Sequence, residues 1–145
     1  MGFAAELNRR FNKSQKWDQL YLDIASRVGQ MSHCDRAKVG ALIVRDNNIL
    51  AFGYNGTPAG ADNCCEIDGK TKKEVLHAET NAITKIARST NTSEGATLYT
   101  TLSPCMECAK LIIQAGIKEV IYHEKYYDES SITFLEDNNV KVKQV

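Results

Sequence analysis

The fold and the candidate site are organised around residues 76–109, which begin with Leu76-His77-Ala78-Glu79 and end with Ser103-Pro104-Cys105-Met106-Glu107-Cys108-Ala109. The two ends of this stretch supply one histidine, one glutamate and two cysteines three positions apart. Such a donor set can bind zinc through three protein ligands and leave the fourth coordination position to water. A nearby carboxylate can accept a proton from that water. The sequence therefore predicts a zinc site at His77, Cys105 and Cys108, with Glu79 as the proton acceptor.

A helix is expected to begin in the second half of this stretch. Ser103 is a favoured N-cap residue, and Pro104 is favoured at the first helical position, where its missing N–H costs nothing. The predicted helix covers residues 104–115, so that Cys105 and Cys108 share one face of its first turn. The positive end of a helix dipole lowers thiol pKa values, and the thiolate is the form that binds metal.

The segment after His77 favours a second helix. Residues two apart on a helix point about 200° away from each other, so His77 and Glu79 cannot both face an ion beside the helix wall. We therefore expect the ion beyond the start of this helix. Each residue alone also has an ordinary role, such as a solvated first-turn acid for Glu79, but the combination indicates a metal site.

The pattern along the whole chain predicts an α/β fold. The predicted elements are a helix over 15–31, a hairpin of strands 39–44 and 49–54, the helix after residue 77, a strand over 96–102, the helix over 104–115, a strand over 118–123, a helix over 128–138 and a strand over 140–142. A strand, a helix and another strand in succession imply parallel pairing. We predict one domain over residues 1–145, with a mixed sheet of about five strands and helices on both faces.

Composition excludes several other classes of protein. The chain has 145 residues, of which 43% are hydrophobic, enough to bury one core. Its apolar runs are too short to cross a bilayer and no secretory leader is evident, so we expect a cytoplasmic protein without a membrane partner. Eighteen basic residues balance eighteen acidic ones, so no nucleic-acid partner is expected despite basic clusters at Arg9-Arg10 and 70–73. Five cysteines, an odd number, argue against a disulfide scaffold and favour a reducing compartment.

Five motifs together carry a resemblance to a known family. The motifs are Val39-Gly40-Ala41, Gly53-Tyr54-Asn55-Gly56-Thr57-Pro58-Ala59-Gly60, His77-Ala78-Glu79-Thr80-Asn81-Ala82-Ile83, Thr101-Leu102-Ser103-Pro104-Cys105-Met106-Glu107-Cys108-Ala109-Lys110 and Gly116-Ile117-Lys118. With these motifs the chain resembles the deoxycytidylate (dCMP) deaminases of the zinc-dependent cytidine deaminase superfamily over residues 26–126. The motif over 53–60 is more particular to dCMP deaminases, whereas the other catalytic motifs are shared with tRNA and polynucleotide deaminases.

The resemblance implies a cytidine-deaminase-like three-layer α/β/α fold and the hydrolytic deamination of dCMP to dUMP and ammonia, with Zn²⁺ as the cofactor. It assigns proton transfer to Glu79, contact with the substrate's sugar to Asn55, and a backbone N–H in the pocket to Ala78. For Asn55 the alternative is a left-handed turn residue. A nucleoside monophosphate also needs a cationic anchor, for which Arg36 and Lys38 are the candidates, against ordinary surface residues as the alternative.

Tyr126 is expected to donate a further hydrogen bond to the substrate. Many members of the family are homohexamers that dCTP activates and dTTP inhibits, with Mg²⁺ accompanying the triphosphate. The resemblance places effector binding at Gly53, Tyr54, Asn55 and Gly56. The alternative is a hairpin exit that simply needs glycines.

The remaining cysteines leave the question of a second metal open. Some relatives bind a structural zinc at the positions of Cys34 and Cys64, next to Cys65. Here the segment before the second helix contains neither histidine nor cysteine, so only Glu74 or His33 could complete a tetrahedral site.

Two other functions compete with this prediction. Deamination of a base in tRNA or single-stranded nucleic acid uses the same chemistry but requires a basic channel, which the balanced charge does not favour. A catalytically silent zinc domain for assembly or effector sensing would not need a carboxylate at the position of Glu79.

Overall fold

The computed structural model describes residues 13–145, so the Arg9-Arg10 cluster lies outside the described part of the chain. The elements are α1 (Lys13–Gly29), β1 (Gly40–Arg45), β2 (Asn48–Tyr54), β3 (Glu66–Ile67), β4 (Lys70–Thr71), α2 (Ala78–Ala87), β5 (Thr97–Leu102), α3 (Met106–Gln114), β6 (Glu119–Glu124), α4 (Ser130–Asp137) and β7 (Lys141–Gln144). Within residues 13–145, no helix has both the length and the apolar composition to span a bilayer. The cytoplasmic location stays a prediction.

Five strands form one mixed sheet in the order β2-β1-β5-β6-β7, which confirms the predicted architecture. Strand β1 pairs antiparallel with both β2 and β5, whereas β5–β6 and β6–β7 are parallel and each joined through a helix. The short strands β3 and β4 form a separate two-stranded ribbon. The sequence did not predict this ribbon, because its residues are polar and show no strand periodicity.

The hairpin between β1 and β2 turns at Asp46 and Asn47, whose φ angles are 51° and 60°. Arg45 pairs directly with Asn48, so the loop has two residues with positive φ. This is the geometry of a type I′ turn, whose twist matches the twist of the strands that it joins. The register of the hairpin shifts between Ile43 and Val44.

Side chains of the sheet pack against helices on both faces. In β1, Ala41 and Ile43 belong to one buried cluster, and Leu42 and Val44 belong to the other, as the alternation of a strand requires. Helices α2, α3 and α4 complete the first cluster with Ala78, Ala82, Ile86, Cys108, Ala109, Ile112 and Leu135. Helix α1 completes the second with Tyr21, Leu22 and Ala25. The result is the predicted three-layer α/β/α arrangement.

One buried carboxylate connects α1 to the sheet. Asp18 on α1 is 4% exposed, and it accepts hydrogen bonds from the Tyr99 hydroxyl at 2.8 Å and from the Lys143 ammonium at 2.5 Å. Burial, and then the bond to Asp18, raises the pKa of Tyr99 above its usual range. These bonds hold α1 against the strands β5 and β7.

Candidate active site

His77 lies directly before α2, at the N-cap position, in an extended conformation with φ −72° and ψ 158°. Its position follows from the preceding residue, because Gly56 and Leu76 exchange two backbone hydrogen bonds of 3.0 and 2.8 Å. The first turn of the helix then starts with the bond from the Asn81 N–H to the His77 carbonyl, at 2.9 Å. His77 therefore lies just outside the helix, as an ion beyond the helix start requires.

Strand β2 and helix α2 are in direct backbone contact at Gly53. A Cβ atom at Gly53 would lie 2.4 Å from the Ala78 carbonyl oxygen and 2.6 Å from the Ala82 nitrogen. Only glycine allows this approach without displacement. The Asn81 side chain adds a hydrogen bond of 2.9 Å to the Tyr54 carbonyl oxygen. The sheet thereby holds the helix that carries the candidate catalytic residues.

The start of α3 differs from the prediction. The helix begins at Met106 with Cys105 as its N-cap, so the predicted N-cap role of Ser103 is wrong. Ser103 instead extends the β5–β6 pairing, because its N–H donates to the Glu124 carbonyl at 2.8 Å. Its hydroxyl accepts from the Tyr126 N–H at 2.7 Å. The predicted end is confirmed by Gly116, which has a φ of 77° just after the helix.

The donor atoms of His77, Cys105 and Cys108 all lie within 4.8 Å of one another. The His77 Nδ1 atom is 3.4 Å from each of the two Sγ atoms. One imidazole and two thiols are a donor set that zinc prefers, and three ligands leave room for a fourth from outside the protein. The residues therefore fit a zinc ion. Among residues 13–145, no other group of three or more histidine, cysteine or acidic residues converges in this way.

The two cysteines differ in their affinity for a proton. The pKa of Cys105 is lowered to about 3, chiefly because the Cys108 thiol donates a hydrogen bond to its sulfur. The pKa of Cys108 is raised, chiefly by this same bond and then by burial. The pKa of His77 is raised, chiefly by its hydrogen bond with Cys105. The lowered pKa favours the thiolate form of Cys105. A bound cation would also favour loss of the proton from Cys108.

Glu79 lies in the first turn of α2 and is 4% exposed. Its Oε1 accepts a hydrogen bond from the Thr100 hydroxyl at 3.2 Å, and its Oε2 lies 3.4 Å from the Cys108 sulfur. Burial is the main cause of a raised pKa at this carboxyl. A carboxyl group with a raised pKa can both take up and release a proton near neutral pH.

Thr100 is a site residue that the sequence analysis missed. It is fully buried in the middle of β5, and its hydroxyl also lies 2.9 Å from the Leu102 carbonyl oxygen. The available signal was alternation, because Thr100 shares a strand face with the core residue Leu98 and is the polar member of that row.

A cavity of about 260 Å³ opens next to these residues. Its wall includes His77, Glu79 and Cys105 together with four of the residues predicted to contact substrate, namely Arg36, Asn55, Ala78 and Tyr126. Ala78 occupies the first position of α2, where a backbone N–H has no carbonyl of its own helix to bind. The structure thus brings most of the predicted substrate residues to one cavity.

Lys38 is not among the residues that line this cavity. Its ammonium group donates a hydrogen bond of 2.7 Å to the Ser32 carbonyl oxygen. The predicted role of Lys38 as a phosphate anchor therefore gains no support from its position.

Asn55 positions the chain beside the cavity. Its amide nitrogen donates to the Ala37 carbonyl oxygen and its amide oxygen accepts from the Val39 N–H, each at 2.8 Å. The alternative of a left-handed turn residue is wrong, because Asn55 does not have a positive φ. The side chain holds residues 37–39 in place, and Asn55 lines the cavity.

The residues predicted to bind effectors do not all face one space. Tyr54 and Gly56 line a second cavity of about 200 Å³, together with Asn81 and Lys85. Asn55 lines the first cavity, and Gly53 is buried against α2. Residues 54–56 thus contribute to the walls of both cavities.

The odd number of cysteines argued against a disulfide scaffold, but the structure contains one disulfide. Cys34 and Cys65 are joined by a disulfide, with 5.2 Å between their Cα atoms, and Cys64 is an exposed free thiol. Because Cys34 is bonded to Cys65, it cannot also bind a second zinc ion, and residues 13–145 form no second metal-binding cluster. The structure brings the loop after α1 next to the segment before β3, a contact between chain segments that the spacing of cysteines cannot indicate. The cysteine count therefore no longer supports a reducing compartment.

The sequence is similar to those of known deaminases. The model of the family described as cytidine and deoxycytidylate deaminase zinc-binding region matches residues 15–124. The deoxycytidylate deaminase of Schizosaccharomyces pombe is 37% identical over 148 residues, which cover 93% of this chain and 45% of that protein. The deoxycytidylate deaminase of Enterobacteria phage T4 is 37% identical, covering 72% of this chain and 76% of that protein. The chain thus spans less than half the length of its fungal relative.

Among solved structures, the dCMP deaminase of the cyanophage S-TIM5, in complex with dCMP and dUMP, superposes with a TM-score of 0.87. Its sequence is 42% identical, and the match covers 93% of this chain and 99% of that chain. The same protein in its apo form matches with a TM-score of 0.82 and 40% identity.

Proposed function

The chain belongs to the cytidine and deoxycytidylate deaminase family, and from this premise we propose that it catalyses the hydrolytic deamination of dCMP to dUMP and ammonia in pyrimidine deoxynucleotide metabolism. The observation that carries the proposal is the convergence of His77, Cys105 and Cys108 within 4.8 Å, beside the buried carboxyl of Glu79. The names of the relatives at 37–42% identity support dCMP as the substrate.

His77, Cys105 and Cys108 would hold the zinc ion. When bound there, zinc supplies the Lewis acidity that activates water for attack on carbon 4 of the cytosine ring. Glu79 accepts a proton from the water and delivers it to ring atom N3. The same carboxyl then carries the second proton to the exocyclic nitrogen as the C–N bond breaks. The oxygen of water becomes the uracil carbonyl, and the amino group leaves as ammonia.

The surroundings of Glu79 suit this transfer of two protons. Burial excludes bulk water from the carboxyl and raises its pKa, so that the protonated form is accessible during the reaction. The Thr100 hydroxyl fixes one carboxyl oxygen, and the other oxygen lies next to the Cys108 sulfur. The carboxyl is therefore oriented before substrate binds.

The rest of the cavity supports binding of a nucleotide. Asn55 offers its polar edge to the sugar, and the Ala78 N–H lies at a helix start suited to an oxygen of the base. Arg36 provides a guanidinium for the phosphate, and Tyr126 borders the same cavity.

This assignment is tested by the Arg36→Ala variant. The KM for dCMP should rise about tenfold or more, as the loss of a hydrogen bond to a charged group requires, while the KM for deoxycytidine changes less. Lys38→Ala is the matched control, because it removes a neighbouring cation that does not line the cavity. Equal effects of Arg36→Ala on the two substrates would contradict the anchor.

We also propose that dCTP activates and dTTP inhibits the enzyme, with Mg²⁺ accompanying the triphosphate, and that the chain assembles as a homohexamer. The cavity beside Tyr54 and Gly56 supports an effector site, because it borders both the end of β2 and Leu76, the residue before His77. A ligand there would contact the segment that positions the imidazole. Identical dCMP saturation curves with and without each nucleotide would refute the regulation. Light scattering of the purified protein tests the assembly.

The reaction itself is tested by following ultraviolet absorbance with dCMP, deoxycytidine and a short cytosine-containing oligonucleotide, each at the same concentration. We expect the highest kcat/KM with dCMP, and a rate about 10²–10⁴-fold lower in the Glu79→Gln control. Preferential conversion of the oligonucleotide would favour a nucleic-acid deaminase instead. Absence of turnover with all three, in a protein that binds zinc, would indicate a silent zinc domain.

A further inference from the structure

The ribbon β3–β4 forms one wall of the cavity and holds the segment that carries Arg36. One carboxyl oxygen of Glu66, at the start of β3, accepts hydrogen bonds from the N–H groups of Asp35 and Arg36, at 3.0 and 3.2 Å. The Thr71 hydroxyl, at the end of β4, accepts a hydrogen bond of 3.2 Å from the Arg36 guanidinium. Glu66 and Thr71 are register partners in the ribbon, and both line the cavity.

Further bonds fix the two segments relative to each other. The disulfide joins Cys34, directly before Asp35, to Cys65, directly before Glu66. On the other side of Arg36, the Asn55 amide holds residues 37–39. The backbone of Arg36 is therefore restrained from both sides, although its side chain is exposed. The hydrogen bond to the Thr71 hydroxyl orients its guanidinium.

This restraint has a consequence for anion binding. A long exposed side chain loses rotamer freedom when it clamps a ligand, and a side chain that is already held loses less. The guanidinium has five N–H donors, so the bond to Thr71 leaves several for a phosphate group. The negative charge of Glu66 does not itself attract a phosphate. What Glu66 contributes is an oxygen that accepts two backbone hydrogen bonds and shapes the segment around Arg36.

We propose that Glu66 and Thr71 are positioning residues, which hold Arg36 ready for the phosphate and so set the preference for a nucleoside monophosphate over a nucleoside. The inference rests on the proposed function and names the part of the chain that gives it this selectivity. The ribbon acts through Arg36 and takes no part in the proton transfers at Glu79.

The test compares paired variants with dCMP and deoxycytidine as substrates. Glu66→Ala and Thr71→Val remove the accepting oxygen, whereas Glu66→Gln and Thr71→Ser keep one. The ratio of kcat/KM for dCMP to that for deoxycytidine should fall about three- to tenfold in the first pair, through a higher KM for dCMP. In the second pair the ratio should stay within about twofold of the wild type, since an amide or a serine hydroxyl accepts the same bonds.

Several outcomes would overturn the inference. An unchanged ratio in Glu66→Ala and Thr71→Val would show that Arg36 needs no positioning. Equal losses on both substrates would show that the ribbon only supports the fold, and thermal unfolding of each variant identifies that case. If the ratio of kcat/KM falls as far in Glu66→Gln as in Glu66→Ala, the charge of Glu66 would be what matters, and not its oxygen as a hydrogen-bond acceptor. If the wild type does not deaminate dCMP, the proposed function itself fails, whereas an active wild type with unchanged variants refutes only this inference.

Discussion

Replacing Gly53 by alanine should disturb the active site from a position outside it. The new Cβ would lie 2.4 Å from the Ala78 carbonyl oxygen and 2.6 Å from the Ala82 nitrogen, whereas ordinary contacts begin at 3.4 Å. Both neighbours are backbone atoms of α2, so they cannot rotate away. Relief of the clash requires β2 and α2 to separate by about 1 Å, because a packed interior has no spare volume there.

Separating β2 from α2 would displace the candidate catalytic residues at the start of α2. Ala78 lies between His77 and Glu79, and the bridge that fixes the residue before His77 starts from Gly56, two residues after the end of β2. We expect the free energy of unfolding to fall by about 1–3 kcal/mol, as for other overpacked interiors. We expect kcat/KM for dCMP to fall about 100-fold, since a misplacement of 1 Å in a catalytic site has effects of that size.

Gly56→Ala is the matched control, because a Cβ at Gly56 meets no atom within 4 Å. It should change the free energy of unfolding by less than about 1 kcal/mol. Denaturant unfolding, zinc content and dCMP turnover are measured on both variants. Wild-type stability and turnover in Gly53→Ala would refute the close-approach argument, and so would an equal loss of stability in Gly56→Ala.

Three further changes have defined expected outcomes. Glu79→Gln should retain one zinc per chain by atomic absorption while kcat falls about 10²–10⁴-fold, since general acid–base catalysis contributes this much; loss of the metal would assign Glu79 a structural role instead. Asp18→Ala should lower the free energy of unfolding by about 1–3 kcal/mol in denaturant titrations, because the buried Tyr99 hydroxyl loses its acceptor; an unchanged midpoint would contradict this. Replacing both Cys34 and Cys65 by serine should cost about 3–4 kcal/mol of unfolding free energy, as loop closure over a separation of 31 residues predicts; equal stability to the oxidised wild type would show that the cross-link does not stabilise the fold.

Much of the architecture could be predicted because it depends on local patterns. The two apolar runs over residues 39–44 and 49–54, separated by turn residues, indicated the hairpin. The strand, helix and strand over residues 96–123 required a parallel crossover. Gly116 marked the end of α3 correctly. The motifs around His77 and Cys105 identified the three donor residues that the structure brings together, since few functions need an imidazole and two thiols at that spacing.

The errors arose where contacts between distant segments override local preference. Ser103 has the chemistry of an N-cap, but pairing with β6 extends the strand through it and the helix starts later. Thr100 can donate its hydrogen bond to Glu79 only because the fold packs β5 against α2.

The ribbon β3–β4 carries polar residues without periodicity, so its two paired positions could not be inferred. The disulfide between Cys34 and Cys65 was missed, because the spacing of cysteines along the chain does not show which of them the fold brings together.

We expect dCMP deamination to depend on a zinc ion held by His77, Cys105 and Cys108. It is tested most directly by titrating metal-free protein with Zn²⁺ and measuring bound zinc and the initial rate of dUMP formation on the same samples. The rate should rise in proportion to bound zinc and level off at one ion per chain. Full turnover without metal, or one tightly bound zinc with no dUMP formed, would show that the reaction does not depend on this zinc ion.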